Sequence, residues 1–554
     1  MKQAAWKRPI AALSGGVLGF AWLLLAACGG GSAPAAPTPV PAPAAENPVA
    51  GGRVVVGVTA DIGSINPYST LSTTVTQEIA SVLFRQLLRE NPDYTDHPPT
   101  FGPDLAESWE ISPDGLTVTF HLQKDALWSD GTPIDAEDIR YTWQAQTNPE
   151  VAWDSSQFKR FIRDVEVVDK ATVKFHLSRR TANPLLQINE GQILPRHLWS
   201  QLPFARWHSN DDWFVEHLAT SGPYTVESWA RQQELVLAPN PHFRSPHPPY
   251  LDKVVIRVVP EVSSLVAEFL ADNLDVVFGI TPSDVKRIEA QPSLGVVSWL
   301  SRSFAFVAWN TRRELFHSPA ARRALTLAID RESLVEAIYG RYGKLSNSLI
   351  ISDVWAYDRS LKPWPYDPAK AREILAAEGF RDIDGDGILD RGGKPFRFEL
   401  ATNSGNPQRQ DALILIQQQL RKVGVDAQLR FVAFNPLMEQ ADRGEFDALL
   451  ARWTMPTDLD LSFALATESI GRAQNIFGYS SPQMDRLLEK TRNAATLEEF
   501  HQGLLEVQQL VHQDLPLTLL YEAHDLGAYH RRVHGLQPNA LRRFWQIEDW
   551  WRSP

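Results

Sequence analysis

Residues 105–143 read LAESWEISPDGLTVTFHLQKDALWSDGTPIDAEDIRYTW and carry the clearest structural pattern in the chain. The first half of this stretch places apolar side chains at every second position, directly after the Pro-Asp-Gly turn signal at 113–115. The alternating residues are Leu116, Val118, Phe120 and Leu122. A period of two is typical of a half-buried strand, so the pattern predicts an antiparallel strand entered from a tight turn.

The second half of the same stretch predicts a helix. Asp135 stands where its side chain can cap the helix N-terminus. Glu137 and Asp138 fall in the first turn, where carboxylates favour the positive end of the helix dipole. The strand alternation then returns at Val173, Phe175 and Leu177. We therefore expect an antiparallel sheet with a helix between its strands.

Upstream of this sheet the chain opens with an α/β pattern. The β-branched run RVVVGVT at 53–59 predicts a buried strand. Between Thr76 and Arg89 the apolar residues recur at helical spacing. They are Ile79, Leu83, Phe84, Leu87 and Leu88. The spacing predicts an amphipathic helix that packs back on the strand.

The second half of the chain marks its helix starts with a capping residue followed by proline, which is favoured at the first helical position. These pairs are Ser318-Pro319, Asp367-Pro368 and Ser481-Pro482. Gly379 closes the middle helix as a left-handed cap, and Phe396, Phe398 and Leu400 then alternate as a strand. Helices interleaved with strands predict a second α/β lobe.

The only cysteine, Cys28, ends the apolar stretch 10–27, which follows Lys2, Lys7 and Arg8. A basic start, an apolar middle and small residues before a cut are typical of a secretory signal peptide, so we interpret 1–27 as one. An uncleaved transmembrane anchor is the alternative. Either interpretation makes the folded body extracytoplasmic. Residues 28–52 are rich in Pro, Ala and Gly and predict a stiff spacer.

Composition and motif content exclude several classes of function. The 554 residues suffice for two or three domains. The formal net charge of -12 disfavours a nucleic-acid partner, because such binding rests on Lys and Arg. One cysteine excludes an internal disulfide. The sequence contains no nucleophile elbow, paired-His zinc motif or phosphate loop, so we expect neither an enzyme nor a bound cofactor.

The stretch at 105–143 resembles the peptide-type solute-binding proteins of ABC importers, the extracellular solute-binding protein family 5. Further segments that resemble the family are SGPYTVESW at 221–229, NPHFRSPHPPYLDKVVIRVV at 240–259, ARRALTLAIDRESLV at 321–335, FDALLARW at 446–453 and NIFGYSSPQMDRLL at 475–488. Leu-Ala-Ala-Cys at 25–28 is similar to a bacterial lipobox. That similarity implies that Cys28 carries lipid and holds the protein on the outer side of the cell membrane, in the periplasm if an outer membrane exists.

The resemblance implies an α/β fold of the periplasmic-binding-protein type (type II, Venus-flytrap) with two lobes. The implied boundaries are 53–300 for lobe I, 301–510 for lobe II and 511–554 for a C-terminal return to lobe I. A subdomain at about 90–219 is inserted in lobe I. We expect a monomer.

The function that the resemblance implies is that of a receptor without catalysis. The lobes close on an oligopeptide in an extended conformation. Main-chain groups of the protein would bind the peptide backbone, and hydrated pockets would accept its side chains. A membrane permease then receives the peptide. The same fold serves other ligands, so an oligosaccharide or a metal chelate is the alternative. An extracytoplasmic hydrolase is a further alternative, since a fold alone does not fix a function.

The resemblance places a cleft wall at Trp453, in ARWTMPTDLDLSF at 451–463. A core tryptophan at a strand end is the alternative, because Trp is buried well in both settings. Peptide binders of the family often carry an aspartate three residues after this tryptophan for the ligand's α-amino group, and here that residue is Pro456. Asp458 and Asp460 are the candidates to supply the carboxylate instead, although each is also able to cap a helix or face solvent.

Dipeptide binders also tend to carry an arginine in the loop where this chain has the neutral run Thr402-Asn403-Ser404-Gly405-Asn406. Amides and hydroxyls do not form the bidentate clamp that arginine gives a carboxylate, so strict dipeptide specificity is disfavoured, and Asn403 and Asn406 are candidate ligand contacts. The remaining cleft candidates are Trp309 (with packing at the hinge as its alternative), Asn310 and Tyr479.

An aspartate-rich loop follows the middle helix of the second lobe. Its carboxylates, Asp382, Asp384, Asp386 and Asp390, match the opening of a calcium loop. The twelfth position, which should be a bidentate Glu, is Gly393. A structural calcium ion and a carboxylate-rich tight turn both remain open as interpretations.

Overall fold

The computed structural model of the protein describes residues 47–69, 74–244, 247–471 and 475–554. The predicted signal peptide, Cys28 and most of the predicted spacer lie outside these residues. Within the described ranges, every helix is too short or too polar to cross a membrane.

The first half of the chain alternates strands and helices. Its elements are β1 Arg53–Val58, α1 Thr74–Leu83, β2 Leu88–Glu90, β3 Phe101–Pro103, β4 Ala106–Ile111, β5 Thr117–Leu122, α2 Ala136–Thr147, β6 Ile162–Asp169, β7 Thr172–Leu177, α3 Pro184–Asn189, α4 Arg196–Trp199, α5 Asp211–Glu216, β8 Tyr224–Ala230, β9 Glu234–Pro239, β10 Lys253–Val258, α6 Val262–Leu270, β11 Val276–Phe278 and α7 Pro282–Glu289.

The second half begins and ends with a long strand. Its elements are β12 Leu294–Trp309, α8 Pro319–Ala328, α9 Arg331–Tyr339, β13 Gly343–Leu345, α10 Pro368–Ala377, β14 Asp390–Arg391, β15 Lys394–Pro395, β16 Arg397–Asn403, α11 Pro407–Arg421, β17 Asp426–Val432, α12 Phe434–Arg443, β18 Ala448–Thr454, α13 Ser462–Leu465, α14 Pro482–Arg492, α15 Leu497–Asp514, β19 Leu517–His530, β20 Val533–His534 and β21 Trp551–Arg552.

One mixed sheet runs through the described part of the chain in the order β17-β16-β18-β12-β19-β11-β1-β10-β9-β8, with β13 also paired to β19. We call the elements from β1 to α7, with the chain after β19, lobe I. The elements from α8 to α15 form lobe II. Separate hydrophobic cores lie in the two lobes. Among the strands that the structure describes, β12 and β19 alone carry the sheet from one lobe to the other. The protein is therefore an α/β molecule with two lobes on a shared sheet.

The strand pair that joins the lobes is irregular at its middle. Strand β12 pairs antiparallel with β19, and the register shifts between Leu300 and Phe304, so that residues 301–303 stand opposite Ala523. Arg452 of β18 donates hydrogen bonds to the Ser301 and Ser303 hydroxyls. The bulge turns the intervening residue, Arg302, toward the space between the lobes, where it lines a cavity.

Several local predictions are confirmed. Strands β5 and β7 lie side by side in a four-stranded antiparallel sheet, β4-β5-β7-β6, set apart from the main sheet. Asp135 caps α2 in a capping box with Asp138. Ser318, Asp367 and Ser481 each accept a hydrogen bond from a first-turn backbone N–H.

The helix predicted to extend from Thr76 to Arg89 is wrong at its end. Helix α1 stops at Leu83, and Leu88 begins β2. The Leu83 carbonyl accepts hydrogen bonds from the backbone N–H groups of Ser221 and Gly222, and a Cβ added at Gly222 would stand 2.2 Å from the Val82 carbonyl oxygen. A distant segment therefore takes the last carbonyl of the helix, which local spacing does not reveal.

Trp453 lies in the core of lobe II. The residue is 8% exposed. The centroid of its ring lies 4.4 Å from that of Phe306 and 5.6 Å from that of Phe477. These surroundings are those of a core tryptophan, which is the alternative to a cleft wall given above.

Removing the Trp453 ring should destabilise lobe II, because the substitution leaves a large cavity among aromatic neighbours. We expect Trp453→Ala to lower the free energy of unfolding by about 3–5 kcal/mol in urea denaturation followed by circular dichroism. The control is Phe434→Ala, at a residue that is 57% exposed, with an expected change within about 0.5 kcal/mol. A Trp453→Ala protein as stable as the parent would contradict the core position.

Candidate functional site

A cavity of about 480 Å³ opens between the two lobes. Lobe I supplies most of its wall, from the start of α1, the end of β2, the loop at 153–155 and the turn after α3. Arg302 of β12, Thr457 of lobe II and Arg542 of the C-terminal return complete it. The lining residues are Pro67, Ser69, Thr74, Gln77, Glu78, Ser81, Gln86, Glu90, Trp153, Asp154, Ser155, Glu190, Gly191, Gln192, Arg302, Thr457, Leu541 and Arg542.

The cavity wall is polar and carries both signs of charge with an acidic excess. Four carboxylates face two guanidiniums, and Trp153 is the single aromatic residue among the described lining residues. Ligand pockets of this volume usually have mainly apolar walls, so this chamber suits a hydrophilic, charged solute.

Glu90 is the carboxylate of this wall whose ionisation is most disturbed. Burial raises the pKa of the Glu90 carboxyl to about 7, and the negative charges of Glu190 and Asp93 add to the rise. Arg302 and Arg542 oppose it. The pKa stays raised although two cations lie nearby. The carboxyl therefore lies where its negative charge is poorly solvated.

Asp458 follows β18 and lies at the seam between the lobes, next to Thr457 of the cavity wall but not itself in that wall. Burial raises the pKa of its carboxyl to about 8, with Asp460 and Glu190 adding to the rise and Arg302 opposing it. The Asp460 backbone N–H donates a 3.1 Å hydrogen bond to Asp458 Oδ1. The Asp458 carboxyl therefore lies where its ionised form is disfavoured.

Two side-chain contacts tie the lobes together beside the cavity. Arg302 donates from Nη2 to the Met455 carbonyl oxygen at 2.5 Å, at the end of the lobe II strand β18. The Thr457 hydroxyl donates to Glu190 Oε2 at 3.5 Å, from lobe II to lobe I. The cavity is thus built only when both lobes are in place.

Glu190 is held in position by a buried lysine. Lys159, 2% exposed, donates from Nζ to the carbonyl oxygens of Gln187, Ile188 and Glu190 at 2.9, 2.8 and 2.7 Å. Burial lowers the pKa of Lys159 to about 7, and the charge of Glu190 counteracts the fall. The ammonium caps the carbonyl end of α3, which fixes the turn that carries Glu190 into the cavity.

The rim of the cleft is closed by further contacts between the lobes. Arg179 of lobe I donates to the Arg492 carbonyl oxygen at 3.1 Å and to the side chain of Asn493. The Trp355 backbone N–H of lobe II donates to the Tyr94 carbonyl oxygen at 2.9 Å. The structure therefore has its lobes in contact around the chamber.

Three of the predicted cleft residues lie inside lobe II and do not line the cavity. Trp309 is fully buried and donates from Nε1 to the Thr518 hydroxyl. Asn310 donates to the Gly444 and Phe446 carbonyls. Tyr479 is 5% exposed and donates to Asp514 Oδ2 at 2.6 Å. Like Trp453, these side chains hold lobe II together.

The asparagines of the neutral loop also support local structure. Asn406 caps α11 by accepting from the Arg409 backbone N–H, and Asn403 Oδ1 accepts from the Arg409 guanidinium at 2.7 Å. Arg409 is within electrostatic reach of Tyr339 and Tyr521 and does not line the cavity. Asp460, by contrast, stands at the seam between the lobes, where its carboxylate accepts from the Ser462 N–H.

The aspartate-rich loop lies on the surface of lobe II. Carboxylate oxygens of Asp382, Asp384 and Asp390 come within 4.8 Å of one another. Asp386 is not in this group and accepts from the Ile388 N–H instead. Asp382 accepts from the backbone of Gly385 and Gly387, so the carboxylates brace the turn. A calcium ion here stays a prediction.

Sequence reasoning missed Glu90, Glu190, Lys159 and Arg302. Only Arg302 left a signal, because it interrupts the apolar strand LGVVSWLSRSFAFVAW of β12 with a charge. Glu90 and Glu190 are ordinary polar residues at the ends of β2 and α3. Their convergence is produced by the fold.

Comparison with known proteins agrees with this architecture. The oligopeptide-binding protein AppA of Bacillus subtilis (strain 168) is 28% identical over 514 residues, covering 92% of this chain and 93% of AppA. Heme-binding protein A of Haemophilus influenzae is 25% identical over 449 residues, covering 77% of this chain and 79% of that protein.

Solved structures show the same fold. The structure of Bacillus subtilis AppA in complex with a nonapeptide aligns with a TM-score of 0.79 and 26% identity, covering 92% of this chain and 100% of AppA. The periplasmic EDTA-binding protein EppA aligns with a TM-score of 0.81 and 24% identity, covering 92% of this chain and 98% of EppA. The two-lobe, type II periplasmic-binding-protein fold is thereby established.

The model of the bacterial extracellular solute-binding proteins, family 5 (Middle), matches residues 100–471. This range includes the separate four-stranded sheet, the crossing strand β12 and most of lobe II. With two lobes, a chamber between them and a family match over more than half of its length, the chain belongs to the bacterial extracellular solute-binding proteins of family 5.

Proposed function

We propose that the protein is a membrane-tethered receptor that captures oligopeptides between its lobes and delivers them to the permease of an ABC importer. The observation that carries this proposal is the chamber between the lobes, whose polar wall presents carboxylates and guanidiniums to one ligand. A peptide has a cationic amine, an anionic carboxylate and a polar main chain, which match such a wall. The similarity to AppA, an oligopeptide-binding protein with a known nonapeptide complex, supports the same ligand class.

The alternatives fit the chamber less well. A polyanionic metal chelate would meet four carboxylates and two guanidiniums, so its charge is opposed by the wall. An oligosaccharide would have Trp153 alone to stack on, among the described lining residues.

The proposed tether rests on the lipobox-like residues 25–28. Lipid on Cys28 would anchor the protein outside the cytoplasmic membrane, and the Pro- and Ala-rich residues up to 52 would hold the lobes off its surface. A permease can then receive the ligand when the lobes part. Catalysis has no part in this cycle.

Native mass spectrometry identifies the ligand class directly. We expect a form lacking residues 1–28, purified gently from cells, to carry a ladder of peptide masses, because a polar, hydrated chamber accepts varied side chains. Spectra of the denatured protein serve as the control. A single sugar or chelate mass would reassign the ligand.

The rim contact of Arg179 should favour the closed, ligand-holding form. We expect Arg179→Met to weaken binding of a random pentapeptide pool about threefold in isothermal titration, because an exposed ion-assisted contact between the lobes contributes about 0.2–1 kcal/mol. The matched control is Arg163→Met, at an exposed position of β6 in the same lobe, with unchanged affinity. Equal affinity of both variants and the parent would show that the rim contact does not bias closure.

A further inference from the structure

We propose that the loop between β2 and β3 is a clasp that favours the closed arrangement of the lobes independently of the ligand. The clasp consists of residues 91–100, which belong to lobe I and contact lobe II. It sets how readily the cleft opens and therefore how tightly every ligand is held. The inference goes beyond the proposed function, because it concerns the closure of the lobes and applies to any class of ligand.

The base of the clasp is fixed in lobe I. Strands β2 and β3 pair antiparallel, with Leu88 opposite Pro103 and Glu90 opposite Phe101. The Leu88 backbone N–H donates to Asn189 Oδ1 at 2.8 Å, and Asn189 Nδ2 donates back to the Leu88 carbonyl at 2.9 Å. Leu88 is fully buried in the core of lobe I. The clasp therefore moves with lobe I when the lobes separate.

Hydrogen bonds within the clasp keep its shape. The Asp93 carboxylate accepts from the backbone N–H of Thr100 at 3.0 Å and from the Thr100 hydroxyl. The Asn91 backbone N–H donates to the Thr100 carbonyl at 2.9 Å. Pro98 and Pro99 further restrict the backbone. Because the loop is already ordered, docking it on lobe II loses little conformational entropy.

Tyr94 is the main contact between the clasp and lobe II. Its side chain packs against the core cluster of lobe II that contains Trp453 and Phe477. Its carbonyl oxygen accepts a 2.9 Å hydrogen bond from the Trp355 backbone N–H. Burial raises the pKa of the Tyr94 hydroxyl to about 12, although Arg302 opposes the rise. A side chain of lobe I is thus partly removed from water by lobe II.

Two further contacts flank Tyr94. The Asp96 carboxylate lies 3.7 Å from the Arg359 guanidinium, an exposed ion pair between the lobes. Pro99 lines a small pocket at the seam together with Phe500 of lobe II. An exposed ion pair contributes little free energy, whereas apolar surface removed from water contributes in proportion to its area. The Tyr94 ring is therefore the part of the clasp that stabilises closure most.

The clasp lies at the edge of the chamber between the lobes. Its first strand, β2, ends at Glu90, which lines the cavity. Tyr94 is within electrostatic reach of Glu90 and of Arg302, a second residue of the cavity wall. Because the wall includes residues of both lobes, a ligand leaves when the lobes part, and this parting exposes the Tyr94 ring to water. The clasp thus opposes release of every ligand to the same extent.

Amide hydrogen exchange on the purified full-length chain without ligand tests the clasp directly. The Trp355 N–H donates to the Tyr94 carbonyl, so it is released when the clasp parts from lobe II. We expect Tyr94→Ala to speed exchange of this amide up to about fivefold, because alanine keeps the carbonyl but loses the ring. Thr95→Ala, at the exposed neighbouring residue, is the matched control and should leave exchange unchanged.

Ligand affinity supplies the second readout. Two random pentapeptide pools, one rich in Lys and one rich in Asp, serve as probes in isothermal titration of the same chains. We expect Tyr94→Ala to weaken binding of both pools by the same factor, up to about fivefold, since the clasp acts on the lobes and not on the ligand. A residue that touches the ligand would instead weaken the two pools unequally.

The position of the equilibrium between open and closed lobes decides which readout changes more. If the unliganded lobes are mainly closed, loss of the ring is seen as faster exchange, and if they are mainly open, it is seen as weaker binding. When exchange requires the open form and binding requires the closed form, the product of the two fold-changes equals the change in the closing equilibrium constant. We expect a product of about five for Tyr94→Ala.

A conservative variant separates the ring from the hydroxyl. Tyr94→Phe keeps the apolar contact with lobe II and should match the parent in both readouts. Tyr94 is half-buried on a loop, and each lobe keeps its own core without it, so Tyr94→Ala should fold. Thermal melting followed by circular dichroism checks that each variant is folded at the temperature of the assays.

Three results would overturn the clasp or the function separately. A product near one for Tyr94→Ala overturns the clasp and leaves the peptide function standing. Unequal weakening of the two pools overturns it as well, because Tyr94 would then act on the ligand. If neither pool binds the parent, the peptide function fails, and exchange of the Trp355 amide decides alone: faster exchange in Tyr94→Ala supports the clasp, and unchanged exchange overturns it.

Discussion

The antiparallel pairing of β12 with β19 is the constraint on which the rest of the molecule depends. The pairing extends from Leu294 opposite His530 in lobe I to Ala308 opposite Leu517 in lobe II, so both lobes share one sheet. The bulge at 301–303 interrupts the ladder at the point where the lobes meet and turns Arg302 into the cleft. Because β19 returns to lobe I, the C-terminal residues that follow it bring Arg542 to the same cavity.

Burial of charge dominates the energetics of that cavity. Burial disfavours the ionised forms of the Glu90 and Asp458 carboxyls, and neighbouring acids add to that effect. Lys159 shows the complementary solution, since its buried ammonium is satisfied by three carbonyls. The buried ammonium is thus compensated within the protein, at the turn that carries Glu190 to the cavity.

The sequence was informative where structure is local. Asp135 and the three pairs of capping residue and proline predict helix starts that α2, α8, α10 and α14 confirm, because a cap is formed within a few residues. The end of α1 was not predictable, since Ser221 and Gly222 take the Leu83 carbonyl from far along the chain. The cleft residues were mostly missed for the same reason.

Side-chain contacts hold the lobes together at the seam. Arg302 donates to the Met455 carbonyl, the Thr457 hydroxyl donates to Glu190, and Arg179 donates to the Arg492 carbonyl. Because exposed polar contacts of this kind contribute little free energy each, they leave room for a ligand to bias the arrangement of the lobes. A ligand between the lobes stabilises the closed form only by the difference between its interactions with the closed and the open lobes. Selection of the ligand and closure of the cleft are then consequences of the same contacts.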